Sequence, residues 1–122
     1  MQTKNQIQFT AEEQTEIDSF CKMYSNDVNA VDKNGELFLL HEAAAHWDVA
    51  VVRYLVSLGA DVNAINEGFT PLMSAIAENG NIEVFKYLVS SGASIDGKDD
   101  TLLAFAKEMD NPAVVEYLTG IK

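Results

Sequence analysis

The 122-residue sequence predicts an all-α solenoid, built from short helix-turn-helix units that stack on one another. Four short segments resemble one another, and each contains an aromatic residue followed by an apolar residue or cysteine, at intervals of 34, 33 and 30 residues. Around each pair the apolar residues have the spacing of one face of an α-helix, and an alanine-rich stretch precedes three of the four pairs. A period in this range indicates stacked repeats rather than a single globular core.

The four copies are predicted to form the outer helices of the stack. Their aromatic residues are Phe20, Tyr54, Tyr87 and Tyr117. Two of these helices are followed by a glycine, Gly59 and Gly92, which can adopt the left-handed backbone that ends a helix. We therefore expect the second and third outer helices to end in the same way.

The alanine-rich stretches predict shorter inner helices over Leu40–His46, Pro71–Ala77 and Leu102–Lys107. Thr70 followed by Pro71 supplies a capping hydroxyl and a residue suited to the first helical turn. The inward positions of both kinds of helix are expected to form the core. They are Ala43, Ala44, Val51, Tyr54, Leu55, Leu72, Ala75, Val84, Leu88, Leu103, Val114 and Leu118.

The first helix is predicted to cap the stack. Thr10 and Glu13 have the spacing of a capping box, in which a hydroxyl and a carboxylate satisfy the free amides of the first turn. A helix from about Ala11 to Tyr24 follows, and its apolar side chains are expected to pack against the next outer helix. These side chains are Ile17, Phe20, Cys21 and Tyr24. Residues 1–9 are expected to form a flexible segment.

Two motifs connect the repeat to a known family. Residues 68–72 read Gly-Phe-Thr-Pro-Leu, and residues 59–64 read Gly-Ala-Asp-Val-Asn-Ala. With the period and the helix-turn-helix pattern, they resemble the ankyrin repeat over roughly residues 11–122. The resemblance implies a single ankyrin-repeat domain, a solenoid with finger loops, over residues 10–122. Its parts are a capping helix and finger (10–30), repeat 1 (31–64), repeat 2 (65–97) and a truncated C-terminal capping repeat (98–122).

The sequence departs from the family pattern in each repeat. Between Gly35 and His41 the first repeat is one residue longer than usual and lacks Thr-Pro, so its inner helix is expected to start irregularly. The finger of the second repeat is one residue short, and the finger of the third, residues 95–100, is shorter still. A truncated last repeat suits a terminal cap, which must present a polar outer face.

The composition is strongly acidic, with 19 Asp and Glu against 8 Lys and Arg and a formal charge of −11. This charge repels phosphate groups, so we expect neither nucleic acid nor an anionic membrane as a partner. The acidity is either a solubility feature or a surface for a basic partner. Cys21, the single cysteine, is expected to be a buried and inert thiol. With no long apolar stretch, the sequence predicts a soluble, monomeric protein of the cytoplasm.

No catalytic, metal or cofactor site is predicted. His41 and His46 superficially resemble a metal-binding helix motif, but their spacing of five residues separates the side chains by about 140° around a helix. His41 instead matches the histidine of the ankyrin turn, which in that family bridges backbone groups of adjacent repeats. The sequence contains no nucleophile beside a base and no phosphate-binding glycine loop, so we expect no enzymatic activity.

The resemblance also implies where a partner would bind, namely at the finger tips and at the exposed end of each inner helix. The predicted partner-binding residues are Asp32, Glu36, His46, Trp47, Glu67, Phe69, Glu78, Asn79, Asp99, Asp100, Glu108, Met109 and Asp110. Trp47 replaces the glycine usual between the two helices, and with Phe69 it would supply apolar anchors inside an acidic rim. The alternative is that the Trp47 indole folds back over the neighbouring cap or finger.

The leading functional hypothesis is a non-enzymatic module that binds the basic face of another protein through its acidic concave side. Its most specific form is an inhibitor, such as a bacterial immunity protein that neutralises a toxin by covering a positive cleft. A regulatory adaptor and a purely structural repeat block are the alternatives. An enzyme is the remotest of the hypotheses.

Overall fold

The computed structural model describes residues 8–24, 27–28, 30–33, 35–78, 82–95 and 101–120. These residues form seven α-helices. The helices are α1 Ala11–Met23, α2 Leu39–His46, α3 Val49–Ser57, α4 Pro71–Glu78, α5 Ile82–Ser90, α6 Thr101–Glu108 and α7 Pro112–Gly120. All lie within about two residues of the positions that the hydrophobic pattern predicts.

The helices are arranged in two stacked rows. An inner row consists of α2, α4 and α6, each packed on the next, and an outer row consists of α1, α3, α5 and α7. Each inner helix also packs against the outer helix that follows it in the chain. This nearest-neighbour arrangement confirms the predicted all-α repeat solenoid.

The predicted core is largely confirmed. Nine of the expected positions are buried, namely Ala43, Ala44, Val51, Leu55, Leu72, Ala75, Val84, Leu88 and Val114. Tyr54, Leu103 and Leu118 are only half-buried. The Tyr54 ring lies at the edge of the stack, under Phe9. Leu103 and Leu118 belong to the last helix pair, α6 and α7, and no further pair covers it among the described residues.

The outer helices α3 and α5 end in the same geometry. Gly59 and Gly92 have φ angles of 101° and 103°, as predicted. The amide of Ala60 donates to the carbonyl of Leu55 at 3.1 Å, and the corresponding bond after α5 is 3.0 Å. These bonds form the Schellman motif, which satisfies carbonyls left free at a helix end.

The capping box at the start of α1 is present. The Glu13 amide donates to Thr10 Oγ1 at 3.1 Å, and the Thr10 amide donates to Glu13 Oε1 at 3.0 Å. Ile17 and Phe20 are buried in the core, and α1 packs against α3 as expected. Tyr24 contacts the inner row, because its hydroxyl donates to Glu42 Oε2 of the inner helix α2 at 3.0 Å.

Aromatic side chains fill the N-terminal end of the inner row, where α1 is the only helix described before α2. Phe20 contacts Tyr24 and Trp47, with ring centroids 4.9 and 5.4 Å away. Tyr24 in turn contacts Phe38, whose ring centroid lies 6.3 Å away. These four rings therefore pack the cap against both ends of α2.

Gln8 and Phe9, the last residues of the segment expected to be flexible, contact the outer helix α3. The Phe9 ring packs edge-on against Tyr54 at 6.3 Å, and the Arg53 guanidinium lies 4.8 Å from its centroid. Arg53 also donates to the Gln8 carbonyl at 3.3 Å and pairs with Glu13 at 3.5 Å. These contacts hold Gln8 and Phe9 on α3, whereas residues 1–7 lie outside the described part of the chain.

Candidate protein-binding surface

The first finger, described at residues 31–33 and 35–37, pairs its two sides before α2. Val31 and Leu37 form an isolated bridge, and the Asp32 amide donates to the Glu36 carbonyl at 2.8 Å. The Asp32 side chain closes the loop by accepting a hydrogen bond from the Glu36 amide at 3.1 Å. The turn is completed by Gly35, with a φ angle of 77°.

The second finger, residues 65–69, is tighter because it is one residue shorter. Asn66 and Phe69 exchange both backbone hydrogen bonds, at 2.8 and 2.9 Å, leaving a loop of only two residues. Glu67 and Gly68 in that loop both have positive φ angles, 52° and 85°. A two-residue hairpin loop of this kind needs left-handed backbone at both positions, so the short finger forces Glu67 into a conformation that few side chains adopt.

Hydrogen bonds join the two fingers. The Asn66 side chain donates to Asp32 Oδ2 and to the Leu37 carbonyl, both at 2.9 Å. The Glu67 amide donates to Glu36 Oε1 at 2.9 Å. The carboxylates of Asp32 and Glu36, predicted to contact a partner, therefore have a structural role in holding one finger against the next.

His41 bridges backbone groups behind the fingers, as the resemblance implied. Its Nε2 lies 3.1 Å from the Ala64 carbonyl and 2.8 Å from the Phe69 carbonyl. Since both partners are acceptors, Nε2 must carry the hydrogen. The side chain is 8% exposed, and its Nδ1 has no partner among the described residues.

The start of α2 is irregular, as expected from the extra residue and the missing Thr-Pro. Phe38 occupies the N-cap position with φ −143° and ψ −13° and makes no side-chain capping hydrogen bond. In the next repeat Thr70 Oγ1 accepts a hydrogen bond from the Met73 amide at 3.3 Å. The difference follows from the residue type, because phenylalanine has no oxygen with which to cap a helix.

The end of α2 holds His46 and Trp47, two of the four predicted partner-binding residues of the first repeat. The His46 side chain is exposed and lies 3.9 Å from Glu42, which also accepts the Tyr24 hydroxyl. Trp47 is half-buried, and its ring meets Phe20 of α1 edge-on at 5.4 Å. Its indole therefore folds back over the cap, as in the alternative interpretation, and has a packing role that the sequence motif did not reveal.

The C-terminal ends of α4 and α6 are more exposed than the C-terminal end of α2. Glu78, Glu108 and Asp110 are exposed, and Met109 is 40% exposed. Asp110 has a φ angle of 57° and occupies the position that glycine takes after α3 and α5. Residues 76–78 and 109–113 line a groove of about 350 Å³ between the two helix ends.

Asn111 fixes the shape of this groove. Its side-chain amide donates to the Ile76 carbonyl of α4 at 3.1 Å, and its Oδ1 accepts from the Val114 amide at 3.2 Å. One side chain therefore caps α7 and joins that helix to the preceding repeat. The groove walls are consequently held by hydrogen bonds within the scaffold.

Phe69 extends the apolar surface from the second finger to α6. It is 38% exposed, and its ring meets Phe105 edge-on at 5.7 Å. Phe105 and Met109 are one helical turn apart, since the Met109 amide donates to the Phe105 carbonyl at 2.9 Å. The structure thus brings Phe69 and Met109, predicted separately, to the two ends of one strip. Three other predicted residues, Asn79, Asp99 and Asp100, lie outside the described residues.

Two exposed finger residues were missed in the sequence. Val31 is 50% exposed and Ile65 is 62% exposed, each just after the buried or half-buried alanine of its finger. The sequence does contain a pattern that could have identified Val31 and Ile65. Residues 28–31 and 62–65 read Val-Asn-Ala-Val and Val-Asn-Ala-Ile, 34 positions apart. A β-branched apolar residue that recurs outside the helices cannot belong to the core-facing side of the inner or the outer helix.

Among the described residues, three groups have a shifted pKa, and all three lie in the cap. Burial raises the pKa of the Cys21 thiol, and Cys21 is half-buried rather than fully enclosed. Burial also raises the pKa of Tyr24, and the hydrogen bond to Glu42 adds to this effect. Glu16, which accepts a hydrogen bond from the Asp48 amide at 3.2 Å, has a pKa raised mainly by burial.

No group of three or more His, Cys, Asp or Glu side chains within the described ranges could hold a metal ion. His41 and His46 differ in environment, since one is buried between carbonyl groups and the other is exposed beside Glu42. None of the seven described helices is long and apolar enough to cross a membrane.

Comparison with known proteins agrees with this architecture. A family model described as ankyrin repeats, three copies, matches residues 9–99. The chain is 33% identical over 99 residues to an ankyrin repeat domain-containing protein, OPG023, of cowpox virus (strain Brighton Red), covering 80% of this chain and 15% of that protein. It is 36% identical over 94 residues to ankyrin repeat protein 14 of vaccinia virus (strain Western Reserve), covering 76% and 39%.

The chain spans less than half the length of these two relatives. A third similar protein, ankyrin repeat protein OPG025 of vaccinia virus (strain Western Reserve), is 43% identical over 51 residues, which are 41% of this chain and 8% of that protein. Ankyrin repeats are modules for protein-protein interaction rather than enzymes. The repeat pattern, the fold and these matches together show that the chain belongs to the ankyrin-repeat family.

Proposed function

We propose that the chain binds a basic protein through its finger face. This face comprises the first two fingers, of which residues 31–33, 35–37 and 65–69 are described, and the adjoining ends of the inner helices α2, α4 and α6. The proposal specifies a surface and a partner charge for the interaction module described above.

The observation that carries the proposal is the position of the exposed apolar side chains. Among the described residues, six large hydrophobic side chains are exposed, and four of them lie on the finger face. The four are Val31, Ile65, Phe69 and Met109. Exposed apolar groups gathered on one side of a small protein are typical of a surface that is covered in a complex.

The charge of the same face supports a basic partner. Glu67, Glu78, Glu108 and Asp110 are all exposed around the apolar side chains, whereas Lys33 is the exposed cation of the first finger. Opposite charges speed the encounter of two proteins and favour one orientation. If the acidic residues served only solubility, acidic residues on any other face would contribute equally to partner binding.

Inhibition of a toxin, regulation of a partner and scaffolding are three uses of such a face, and each begins with the same binding event. The inhibitory form of the proposal draws on the acidity alone. We therefore choose an experiment that measures binding and tests which face is used.

The experiment compares two double variants with an identical change of charge. Glu78→Lys with Glu108→Lys reverses two acids on the finger face, and Asp18→Lys with Glu116→Lys reverses two exposed acids on outer helices. Proteins captured from a cell lysate by the tagged wild type should be lost with the first variant and retained with the second. Equal capture by all three would contradict use of the finger face.

A further inference from the structure

We propose that the partner contributes a basic amphipathic α-helix, whose apolar side chains lie on a strip formed by Phe69, Phe105 and Met109. The inference rests on the proposed function, because it specifies the class of partner for the same face.

The strip has the length of about two helical turns. The Phe69 and Phe105 ring centroids are 5.7 Å apart. Phe105 and Met109 are four residues apart in continuous helical geometry, which adds about 6 Å. The strip therefore spans at most roughly 12 Å, which accommodates the rise of about 10.5 Å between residues i and i+7 of a helix. Apolar side chains at i, i+3 or i+4, and i+7 of a partner helix therefore match its length.

The strip leads into the groove between the ends of α4 and α6, which combines apolar walls with carboxylates. Ile76, Ala77 and Pro112 supply apolar lining, and Glu78 and Asp110 lie beside them. Lysine and arginine pair an aliphatic stem with a cationic head, so these residues suit such a groove better than a short polar side chain does. The occupant should therefore carry basic residues next to its apolar stripe.

The backbone of the fingers favours a helix over an extended segment. An extended peptide usually binds by adding a strand to an open sheet edge. In the described part of the fingers the only β pairings are two isolated bridges, Val31 with Leu37 and Asn66 with Phe69. A helix does not need such an edge, because its backbone hydrogen bonds are internal.

A set of synthetic peptides tests the inference. The probe is a fluorescently labelled, covalently stapled helix of about 15 residues, with leucine at i, i+3, i+4 and i+7 and lysine beside them. Three matched peptides replace the lysines by glutamate, replace the leucines by alanine, or place proline at the centre. We expect each replacement to weaken binding to the intact chain at least about tenfold in fluorescence anisotropy, since charge, apolar contact and helical shape are all required.

Variants of the chain locate the site. Met109→Ser should weaken binding of the lysine peptide at least about fivefold, and Glu78→Gln should do so without changing the apolar strip. Leu58→Ser is the matched control, because Leu58 is 43% exposed but lies after the outer helix α3. Circular dichroism and thermal melting establish that each variant is folded.

The inference would be overturned by no binding of the lysine peptide, by equal binding of the glutamate peptide, or by an equal effect of Leu58→Ser and Met109→Ser. Undiminished binding of the proline peptide would also overturn it, since the occupant would then be extended. If the inference fails but capture is still lost with Glu78→Lys and Glu108→Lys, the proposed function stands and only the identity of the partner segment changes.

Discussion

Among the described residues, the only non-glycine residues with positive φ are Glu67 and Asp110, at 52° and 57°. Both are exposed acids of the finger face. Glycine occupies the position equivalent to Asp110 after α3 and α5. The left-handed backbone at Asp110 can therefore be predicted from its place after a helix, but not from the aspartate side chain. Left-handed conformation costs an ordinary side chain about 1 kcal/mol, and such strain is often kept where a surface has another use.

Substitutions at Asp110 measure this strain. Asp110→Gly should unfold at a higher urea concentration than Asp110→Ala, with a difference in the free energy of unfolding of about 1 kcal/mol, because only glycine adopts the left-handed backbone freely. Equal stability of the two variants would show that the backbone at Asp110 carries no strain.

Trp47 has a packing role that its place in the sequence does not reveal. Its indole meets Phe20 of α1, so its direction depends on a helix that lies more than twenty residues away in the chain. We expect Trp47→Ala to lower the free energy of unfolding by about 2 kcal/mol, less than a fully buried tryptophan would lose. Trp47→Phe should lose less, since it keeps an aromatic contact.

Chemical denaturation of both Trp47 variants checks this prediction. Affinity for a captured partner should be measured on the same samples at a temperature where both are folded. If Trp47→Ala lowers the affinity for the partner without lowering the free energy of unfolding, Trp47 is a binding anchor rather than a packing residue.

At the scale of elements, the sequence was most informative where a helix has a strong period and a recognisable end. The capping box of α1 and the glycine ends of α3 and α5 were predicted because they depend on neighbours within a few residues. The hydrogen bonds between the fingers and the path of Gln8 and Phe9 were not predicted, because they depend on contacts between distant segments. The strip from Phe69 to Met109 could not be predicted for the same reason.

The hydrogen bond from Tyr24 to Glu42 joins the cap to the inner row. Tyr24→Phe should lower the free energy of unfolding at neutral pH by about 1 kcal/mol, because it removes this bond and leaves the ring in place. The pKa of Tyr24 is raised in the folded chain, mainly by burial. Its contribution to stability is therefore fully present below the unfolded pKa, about 10, and is lost as the pH rises through the folded pKa.

Urea unfolding between neutral and alkaline pH tests the sign of this effect. The wild type should lose more stability than Tyr24→Phe above about pH 10. If the two stability curves remain parallel throughout, Tyr24 does not contribute to the pH dependence of the fold.

At the scale of the whole molecule, the stack combines a repeat scaffold with a high negative charge. Among the described helices the main contacts are between neighbouring pairs, so stability is transmitted along the stack rather than through one central core. The formal charge of −11 acts on the fold and on binding in opposite directions. The negative side chains repel one another within the folded chain, and they attract a basic partner.

Salt should therefore raise stability and lower affinity. Raising sodium chloride to about 0.5 M should increase the melting temperature of the free chain and slow its association with a basic partner. The double variant Glu78→Lys with Glu108→Lys, whose charge changes from −11 by +4 to −7, should show a smaller gain in melting temperature. A melting temperature that does not respond to salt would contradict self-repulsion as a significant term.

The central claim is that the chain binds protein through its finger face, and amide hydrogen exchange of the chain alone and in complex with a captured partner tests it most directly. We predict slower exchange in the complex at residues 31–37, 65–69 and the ends of α2, α4 and α6, with the outer helices unchanged. Protection confined to α3, α5 and α7 would contradict the claim.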